Sequence, residues 1–550
     1  MEHEHVPVLV VGAGPAGLTA ALLLARASVP VLLVERHAST SVHPRARGLN
    51  LRTMEILRAV DLEDTVRVAG AALELSRYML FVETLAGREI RRVADDDLVA
   101  TGDALDAWTP CNWCQCAQDE LEPILLAAAR DHGADIRFST ELIGLVQDAD
   151  GATATLADRA TGLQHAVRAQ YVIAADGARS PLRAMLDVPL RIDRTLEHYV
   201  NIYFRADLRA LVQDRWFGIC FVENEISPGL FLAVNNTDRW LFNVEYQPQQ
   251  GQSPDNFTPA RCVELVRGAV GVPNLDVAII SVLPWEMAAQ IVAQFQVGRV
   301  FFAGDAAHVM PPAGGFGLNT GVQDAHNLAW KLAAVLRGTA APALLATYAA
   351  EREPTANMIV AQAVAEVEAP TPDGPPSGYG PPDGDHGGPP AGPPGGYGNS
   401  TAMLVPVLGY HYDSAAIVAD GAMATDEGLD LTGRPGTRAP HVWIEHAGVR
   451  CSTLDLFDGR FVLLTGPDGS VWYDVAHAAA QRTGLDLAAY CVGGAGEIGD
   501  PSGSWAAAYG VSPSGAVLVR PDSFVGWRAH GAAANAEQVV EQALNAMLGR

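Results

Sequence analysis

At 550 residues the chain exceeds what one hydrophobic core accommodates and implies roughly two to four domains, and its 49% hydrophobic and 18% charged residues suit a folded soluble protein. A formal net charge of −26 excludes nucleic acid and anionic membrane as natural partners, since both would repel it. Seven cysteines, an odd number at low density, fit thiols kept reduced in the cytoplasm.

The first residues, Met1-Glu2-His3-Glu4-His5, are acidic and lack the basic, apolar and small-residue succession of a secretory signal. Val6 to Ala25 carries no charge and is long enough to suggest a membrane span, but its glycines and proline break it into a strand and a helix. That strand, Val8-Leu9-Val10-Val11, ends at Gly12-Ala13-Gly14-Pro15-Ala16-Gly17, and an alanine- and leucine-rich helix follows to Arg26. Gly12 permits the tight turn, Gly14 lets a diphosphate approach the backbone, and Gly17 lets helix and strand pack closely. A second strand, Val31–Val34, ends at Glu35, placed to accept a hydrogen bond from a ribose hydroxyl. Strand, turn, helix and acidic strand end at this spacing predict binding of an adenine dinucleotide.

After Glu35, the segment His43-Pro44-Arg45-Ala46-Arg47-Gly48-Leu49-Asn50 carries two arginines that could clamp a diphosphate or adenine, or equally be a solvated loop. A helical pattern covers 52–57, and residues from about 75 to 105 alternate as strands of another layer. Cys111, Cys114 and Cys116 have no nearby fourth ligand, and His132 lies beyond a helical stretch, so packed inert thiols are expected rather than a zinc site. Gln118 opens a helix, and strands are expected at 135–138 and 152–156. The strand Tyr171–Ala174 runs into Asp176 on a Gly177 turn, with Arg179 and Ser180 starting a helix; alone, this is an ordinary strand-to-helix loop.

Residues from about 190 to 284 read as an antiparallel sheet with concentrated aromatics, which either wall a flat pocket or build a core. Next, Val300–Phe302 ends at Gly304-Asp305, and a proline and glycine loop leads into an amphipathic helix reaching Leu336. Such a loop brings backbone N–H groups and a helix N-terminus against a flat anionic ring. His308 has no acid or nucleophile partner in the sequence and is read as structural. Residues from about 369 to 401 are low-complexity proline and glycine, a mobile loop or linker unless a partner reads the prolines. Beyond about 430 a separate unit contains strands at 461–465 and 515–520 and a final helix from about Asn535. Its Gly494-Ala495-Gly496-Glu497-Ile498-Gly499 matches the dinucleotide pattern as text, but Asp500-Pro501 interrupts any following helix.

Together, the opening glycine turn with Glu35, the Ala175-Asp176-Gly177-Ala178-Arg179-Ser180 stretch and the Gly304-Asp305-Ala306-Ala307-His308 motif resemble the single-component FAD-dependent aromatic hydroxylases of the para-hydroxybenzoate and phenol hydroxylase family. Within it, the chain is most similar to the actinomycete aromatic polyketide hydroxylases. The resemblance implies an α/β fold: a Rossmann-like FAD domain from 1–75, 105–185 and 285–368, and an inserted antiparallel sheet domain for substrate from 76–104 and 186–284. A linker spans 369–429, and 430–550 resembles the family's thioredoxin-like C-terminal domain, without the paired cysteines of thiol-disulfide chemistry.

By the same resemblance, Gly12, Gly14, Ala16 and Gly17 surround the FAD diphosphate, and Glu35 with Arg36 holds the adenosine. Arg45 or Arg47, with Arg47 preferred for its Arg-Gly-Leu context, touches the diphosphate region together with Gln118, and Asp176 and Gly177 belong to a motif serving both FAD and NAD(P)H. Gly304 and Asp305 serve the ribityl or diphosphate side, and Pro312, Gly315, Gly317, Leu318 and Asn319 line the flavin ring. Tyr203, Trp216, Phe221, Phe231 and Trp240 are candidates for the substrate pocket, and no catalytic acid, base or metal ligand is named.

The implied activity is a monooxygenase consuming NADPH or NADH and O2, hydroxylating an aromatic polyketide through a C4a-hydroperoxyflavin. It requires no nucleic acid or membrane, and allows a homodimer. Alternatives are a Baeyer–Villiger oxygenase, an antibiotic-inactivating monooxygenase, a flavin-linked dehydrogenase or reductase, or a non-catalytic flavin-binding protein.

Overall fold

The computed structural model describes residues 4–76, 78–94, 103–369, 404–422, 429–494 and 496–550. Most of the proline- and glycine-rich segment, and part of the 75–105 stretch, lie outside the described residues.

Four apolar runs build the central sheet. Strands Val31–Val34, Glu4–Val11, Gln164–Ala174 and Val300–Phe302 lie side by side and parallel. Val8, Val10, Leu33, Val172 and Ile173 are fully buried, as in parallel sheets covered on both faces. The register sets Val11 opposite both Val34 and Ala174, and Ala174 opposite Phe302. Gly12, Glu35, Ala175 and Ala303 therefore leave the sheet along one edge, at the C-terminal strand ends where open α/β sheets bind ligands. Helix Pro15–Arg26 packs against both Gln118–Asp131 and Phe316–Leu336.

A second sheet orders strands His308–Val309, Ala278–Val292, Leu190–Arg205, Arg239–Glu245, Gly229–Ala233, Phe217–Val222, Tyr78–Val82 and Glu89–Ala94. Its neighbours are antiparallel except for Phe217–Val222 and Tyr78–Val82, which run parallel. The early strand is laid down before the chain crosses the dinucleotide unit, so its partner meets it on return rather than through a hairpin. One face of this sheet closes on helix Pro259–Val270 over a core of Phe204, Phe217, Phe231, Trp240 and Phe242. The reading of Phe231 and Trp240 as pocket residues is corrected here: strand alternation turns both onto this closed face, where they are fully buried. Trp216 packs against the same core. The opposite face carries Tyr199, Asn201, Asn243, Leu230 and Leu232 towards the dinucleotide unit.

The C-terminal unit has a four-stranded mixed sheet, in the order Leu487–Cys491, Phe461–Thr465, Ala516–Val519 and Val525–Ala529. Helices Ser470–Thr483 and Ala536–Met547 pack against one another beside it. The later glycine pattern leads into strand Ile498–Gly499, not a helix, so it forms no phosphate loop. Cys451 and Cys491 are free thiols.

This unit docks through charges with no exposed surface. Arg520 donates to both Glu351 oxygens (2.6 and 2.9 Å) and pairs with Asp522, while Lys331 Nζ donates to Glu351 Oε2 at 2.7 Å. Arg52 donates to the Asp522 carbonyl at 2.6 Å, closing the network onto helix Leu51–Ala59. Burial raises the Glu351 carboxyl, but Arg520 and Lys331 outweigh it and hold that carboxyl well below the ordinary range. Asp324 behaves alike, its burial outweighed by His308 and Arg352.

Two outcomes follow from this seam. Arg520→Met strands buried carboxylates and is expected to cost about 3–5 kcal/mol in a denaturant titration. Because the folded carboxylates sit below their unfolded values, their stabilisation is present above the ordinary carboxylate range, about pH 4, and is lost as pH falls through the depressed values. Melting temperature measured from pH 7 down to pH 3 should drop steeply at the acid end, and a flat profile would contradict this.

Candidate active site

At the first turn, Gly12 has φ +107°, and a Cβ there would lie 2.7 Å from the Ala175 carbonyl carbon and closer still to its oxygen. Gly17 lies equally tight against the Gly12 carbonyl. Gly14 differs, because a Cβ on it would meet nothing within 4 Å and would point into open space. Gly14 also caps helix Pro15–Arg26 without a side-chain partner, so that helix offers free N–H groups and positive dipole to an anion. Glu35 Oε2 accepts the Ala13 N–H at 2.8 Å and Oε1 accepts the His37 N–H at 2.9 Å, bracing the turn while the carboxylate still borders the open space.

That space is a cavity of about 1810 Å³ running between the two sheets. Gly12, Gly14, Ala16, Glu35, Arg36 and Gln118 line one part of it, with Arg45 and Arg47 beside them. Arg45 is exposed to it, whereas Arg47 donates to the Ala233 carbonyl at 2.5 Å and so ties the loop to the second sheet. Asp176, Gly177, Gly304 and Asp305 border it further on, and Pro312, Gly315, Gly317 and Leu318 complete that side. Two predicted residues stand behind the lining. Gly17 serves the packing of the turn, and Asn319 is buried, donating to the Gly48 and Gly315 carbonyls (2.9 and 2.7 Å) and accepting the Asn50 N–H at 2.9 Å.

Asp176 Oδ2 accepts the Leu182 N–H at 3.0 Å, while Oδ1 is buried with no partner. Burial raises this carboxyl, against the hydrogen bonds from Ser180 and Leu182. The Asp305 side chain is open to the cavity yet enclosed by protein mass, and that enclosure raises its carboxyl against the pull of His308 and Arg45. Helix Phe316–Leu336 begins at Gly315, again without a side-chain cap, and its first turn faces the cavity through Gly317 and Leu318.

The acid partner that the sequence did not supply for His308 is Asp324, 2.7 Å away on that helix. Asp324 also accepts the Gly304 N–H at 3.0 Å and Arg352 Nε at 2.7 Å, so His308 belongs to a buried brace beneath the Gly304-Asp305 loop and does not reach the cavity.

On the sheet side, Tyr199 stacks on Trp285 with centroids 4.9 Å apart, and Trp285 Nε1 donates to Asn243 Oδ1 at 3.1 Å. Among the aromatics named from sequence, Tyr203 borders a smaller neighbouring cavity of about 650 Å³ and accepts Arg239 Nε at 2.7 Å. Phe221 faces the same side but stacks on Phe81 beneath the lining. Sequence reasoning missed Glu122, buried at the cavity edge and accepting Gln118 Nε2 and the Ser41 N–H, both at 2.6 Å. It also missed His43, Asn201, Asn243 and Trp285. A polar residue between apolar neighbours in a strand, as in Val200-Asn201-Ile202, was the available signal. Cys111, Cys114 and Cys116 are buried free thiols, and burial pushes Cys116 up to about 12.

The chain matches the FAD binding domain family over residues 5–363 and the aromatic-ring hydroxylase C-terminal family over 432–550. It belongs to the FAD-dependent aromatic-ring hydroxylases. It is 40% identical to the tetracenomycin A2 monooxygenase-dioxygenase of Streptomyces glaucescens, over 100% of this chain and 98% of the relative. It is 39% identical to the 4-methyl-5-nitrocatechol 5-monooxygenase of a Burkholderia species, over 99% and 98%. The crystal structure of aklavinone-11 hydroxylase with FAD and aklavinone superposes with a TM-score of 0.84 at 37% identity, covering both chains fully. The family resemblance, the FAD cofactor and the flavin-dependent monooxygenase class read from sequence all hold.

The residues present fit an FAD-dependent hydroxylase. Open space over Gly14, two uncapped helix N-termini and the unpartnered Asp176 oxygen supply donors for phosphate and an acceptor for a hydroxyl. Gly14→Val should therefore fold normally and lose FAD, whereas Gly12→Val should fail to fold. Flavin absorbance of the purified variants beside circular dichroism separates the two, and a yellow Gly14→Val protein would contradict the cradle.

Proposed function

We propose that this hydroxylase uses NAD(P)H and O2 to hydroxylate an aromatic, polycyclic polyketide-type substrate. The observation that carries the reading is the cavity's size. About 1810 Å³ is nearly double the upper end, about 1,000 Å³, of sites for one small ligand. A dinucleotide laid along the glycine turn leaves room for a flat guest of several fused rings, which supports a polyketide over a single ring such as a nitrocatechol. The relatives named for tetracenomycin and aklavinone lend the same support.

Bound FAD supplies a ring that accepts hydride from NAD(P)H and activates dioxygen. The chain's own part is to position and to exclude. Met79, Ile219, Leu230, Leu232 and Leu283 keep water from the substrate side, and the Tyr199–Trp285 stack offers a flat aromatic wall. Gly315–Leu318 would hold the flavin ring, and the N-terminus of helix Phe316–Leu336 there would stabilise negative charge on it. Gly304 and Asp305 are held in place from below by Asp324 and His308. With one dinucleotide fold among the described residues, NAD(P)H is left to bind from the cavity side, where exposed Arg36, Arg45 and Arg179 offer positive charge. Seven unpaired thiols suit a cytoplasmic enzyme.

Polycyclic phenols should stimulate NAD(P)H oxidation in air, with a product heavier by one oxygen atom carried as a ring hydroxyl. A ring-expanded ester would mark a Baeyer–Villiger oxygenase instead, and substrate oxidation without O2 would mark a dehydrogenase; either would overturn hydroxylation.

A further inference from the structure

Four buried polar atoms on the cavity wall lack a well-formed hydrogen bond: Asp176 Oδ1, described above, Trp113 Nε1, His43 Nε2 and Asn201 Oδ1. Of these, His43 Nε2 and Asn201 Oδ1 are close to one another, in contact but without the geometry of a well-formed hydrogen bond. They reach the wall from different elements: His43 from the loop after Glu35, and Asn201 from the middle of strand Leu190–Arg205. A weak side-chain hydrogen bond joins the His43 ring to Asn201 and raises the imidazole against its burial.

The imidazole is rigidly placed. His43 is 4% exposed, its Nδ1 shares a 2.8 Å hydrogen bond with Ser281 Oγ, and its ring meets Tyr203 edge-on at 5.6 Å and 76°. Arg239 holds the Tyr203 hydroxyl in turn. Burial, with Arg45 adding to it, pushes His43 down to about 4, so the ring is neutral in ordinary buffers. When the Ser281 hydroxyl donates to Nδ1, the ring's single N–H sits on Nε2. The pair then presents one donor and one acceptor side by side. The amide opposite Asn201 in the sheet, Asn243, is engaged with Trp285, and Leu230, Leu232 and Leu283 nearby are apolar. His43 and Asn201 are thus a polar point in a largely apolar stretch of wall, satisfied only by a poorly aligned contact with each other.

One group satisfies both atoms at once: a hydroxyl, which gives its proton to Asn201 Oδ1 and accepts from His43 Nε2. We propose that His43 and Asn201 are the anchor that reads a ring hydroxyl of the flat phenolic substrate and so set which hydroxylated aromatics this enzyme accepts. The inference rests on the proposed aromatic-substrate function. A carboxamide such as that of nicotinamide offers the same donor and acceptor, and the test separates the two sources. A site built around a hydroxyl discriminates against an analogue lacking it, because its own polar atoms are then left unpaired.

The probes are hydroxylated anthraquinones, each paired with its O-methyl ether, titrated into the FAD-loaded enzyme and followed by perturbation of the flavin spectrum. Wild type should bind the hydroxyl compound roughly tenfold or more tightly than the ether, the fold-change one well-made hydrogen bond brings. In His43→Phe and Asn201→Val this preference should fall to about threefold or less, with flavin content and the KM for NADPH retained. His43→Gln, which keeps a donor and an acceptor, should recover part of the preference and carries the test if His43→Phe does not fold. A preference unchanged in all variants overturns the anchor alone. A raised KM for NADPH with phenol binding intact overturns it in favour of the carboxamide. No binding of any aromatic by wild type overturns the anchor together with the aromatic-substrate function.

Discussion

Gly12 and the end of strand Gln164–Ala174 approach so closely that no side chain fits between them, and the rest of the molecule is arranged around that contact. Because Val11, Val34, Ala174 and Phe302 share one register, fixing the first turn against Ala175 also fixes where Glu35 and the Gly304-Asp305 loop emerge. Loops from distant parts of the sequence meet on one edge and pack against each other there, Gly12 on Ala175 and Gly304 on Ala16. Close packing is spent where backbone meets backbone, and space is kept over the cavity-lining Gly14, Gly48, Gly177 and Gly315.

The C-terminal unit takes part in the same arrangement from beneath. Its Arg520, paired with Asp522, engages Glu351 on helix Ala346–Glu368, and the next residue along that helix, Arg352, grips Asp324. Asp324 in turn accepts the Gly304 N–H. A continuous chain of buried charge therefore runs from a domain with no cavity residues of its own to a loop that borders the cavity. Buried ion pairs contribute little net stability, but breaking one is costly, so such a chain fixes geometry more than it adds stability. Arg58 with Asp455, half exposed at the surface, makes the contrast, since solvent screens such a pair.

The dinucleotide unit was legible because its signals are local. Gly12, Gly14, Gly17 and Glu35 stand in an order that only a strand, turn, helix and strand satisfy, and apolar runs of four residues predict strands buried on both faces. The substrate side was far less legible. Aromatic residues in strands announce burial but not direction, and a single step of alternation separates Tyr203, beside the cavity, from Phe204 in the closed core. Phe231 and Trp240 were misread for that reason. The polar residues that reach the cavity, Asn201 and Asn243, carry little weight in a hydrophobic pattern, yet a buried amide needs a partner more than a buried ring does. Asp324 was invisible because its partner His308 is brought to it only by the return of a helix beneath its own loop.

The strongly acidic chain must hold anionic nucleotides, and its net charge alone would oppose them. The fold resolves this locally. Two helix N-termini without side-chain caps open onto the same cavity, and Arg36, Arg45 and Arg179 line it as well. Low-dielectric walls strengthen these donors where the phosphates would lie, while the acidic residues are spread over a surface where salt screens them. Farther along the cavity the donors thin out and leucine replaces arginine, so the ligand there is selected by shape and by a few hydrogen bonds. A flat, nearly neutral aromatic fits that end for the same reason a dinucleotide fits the other. The division of one cavity into a charged half and an apolar half lets a single nucleotide fold serve a reaction with several ligands.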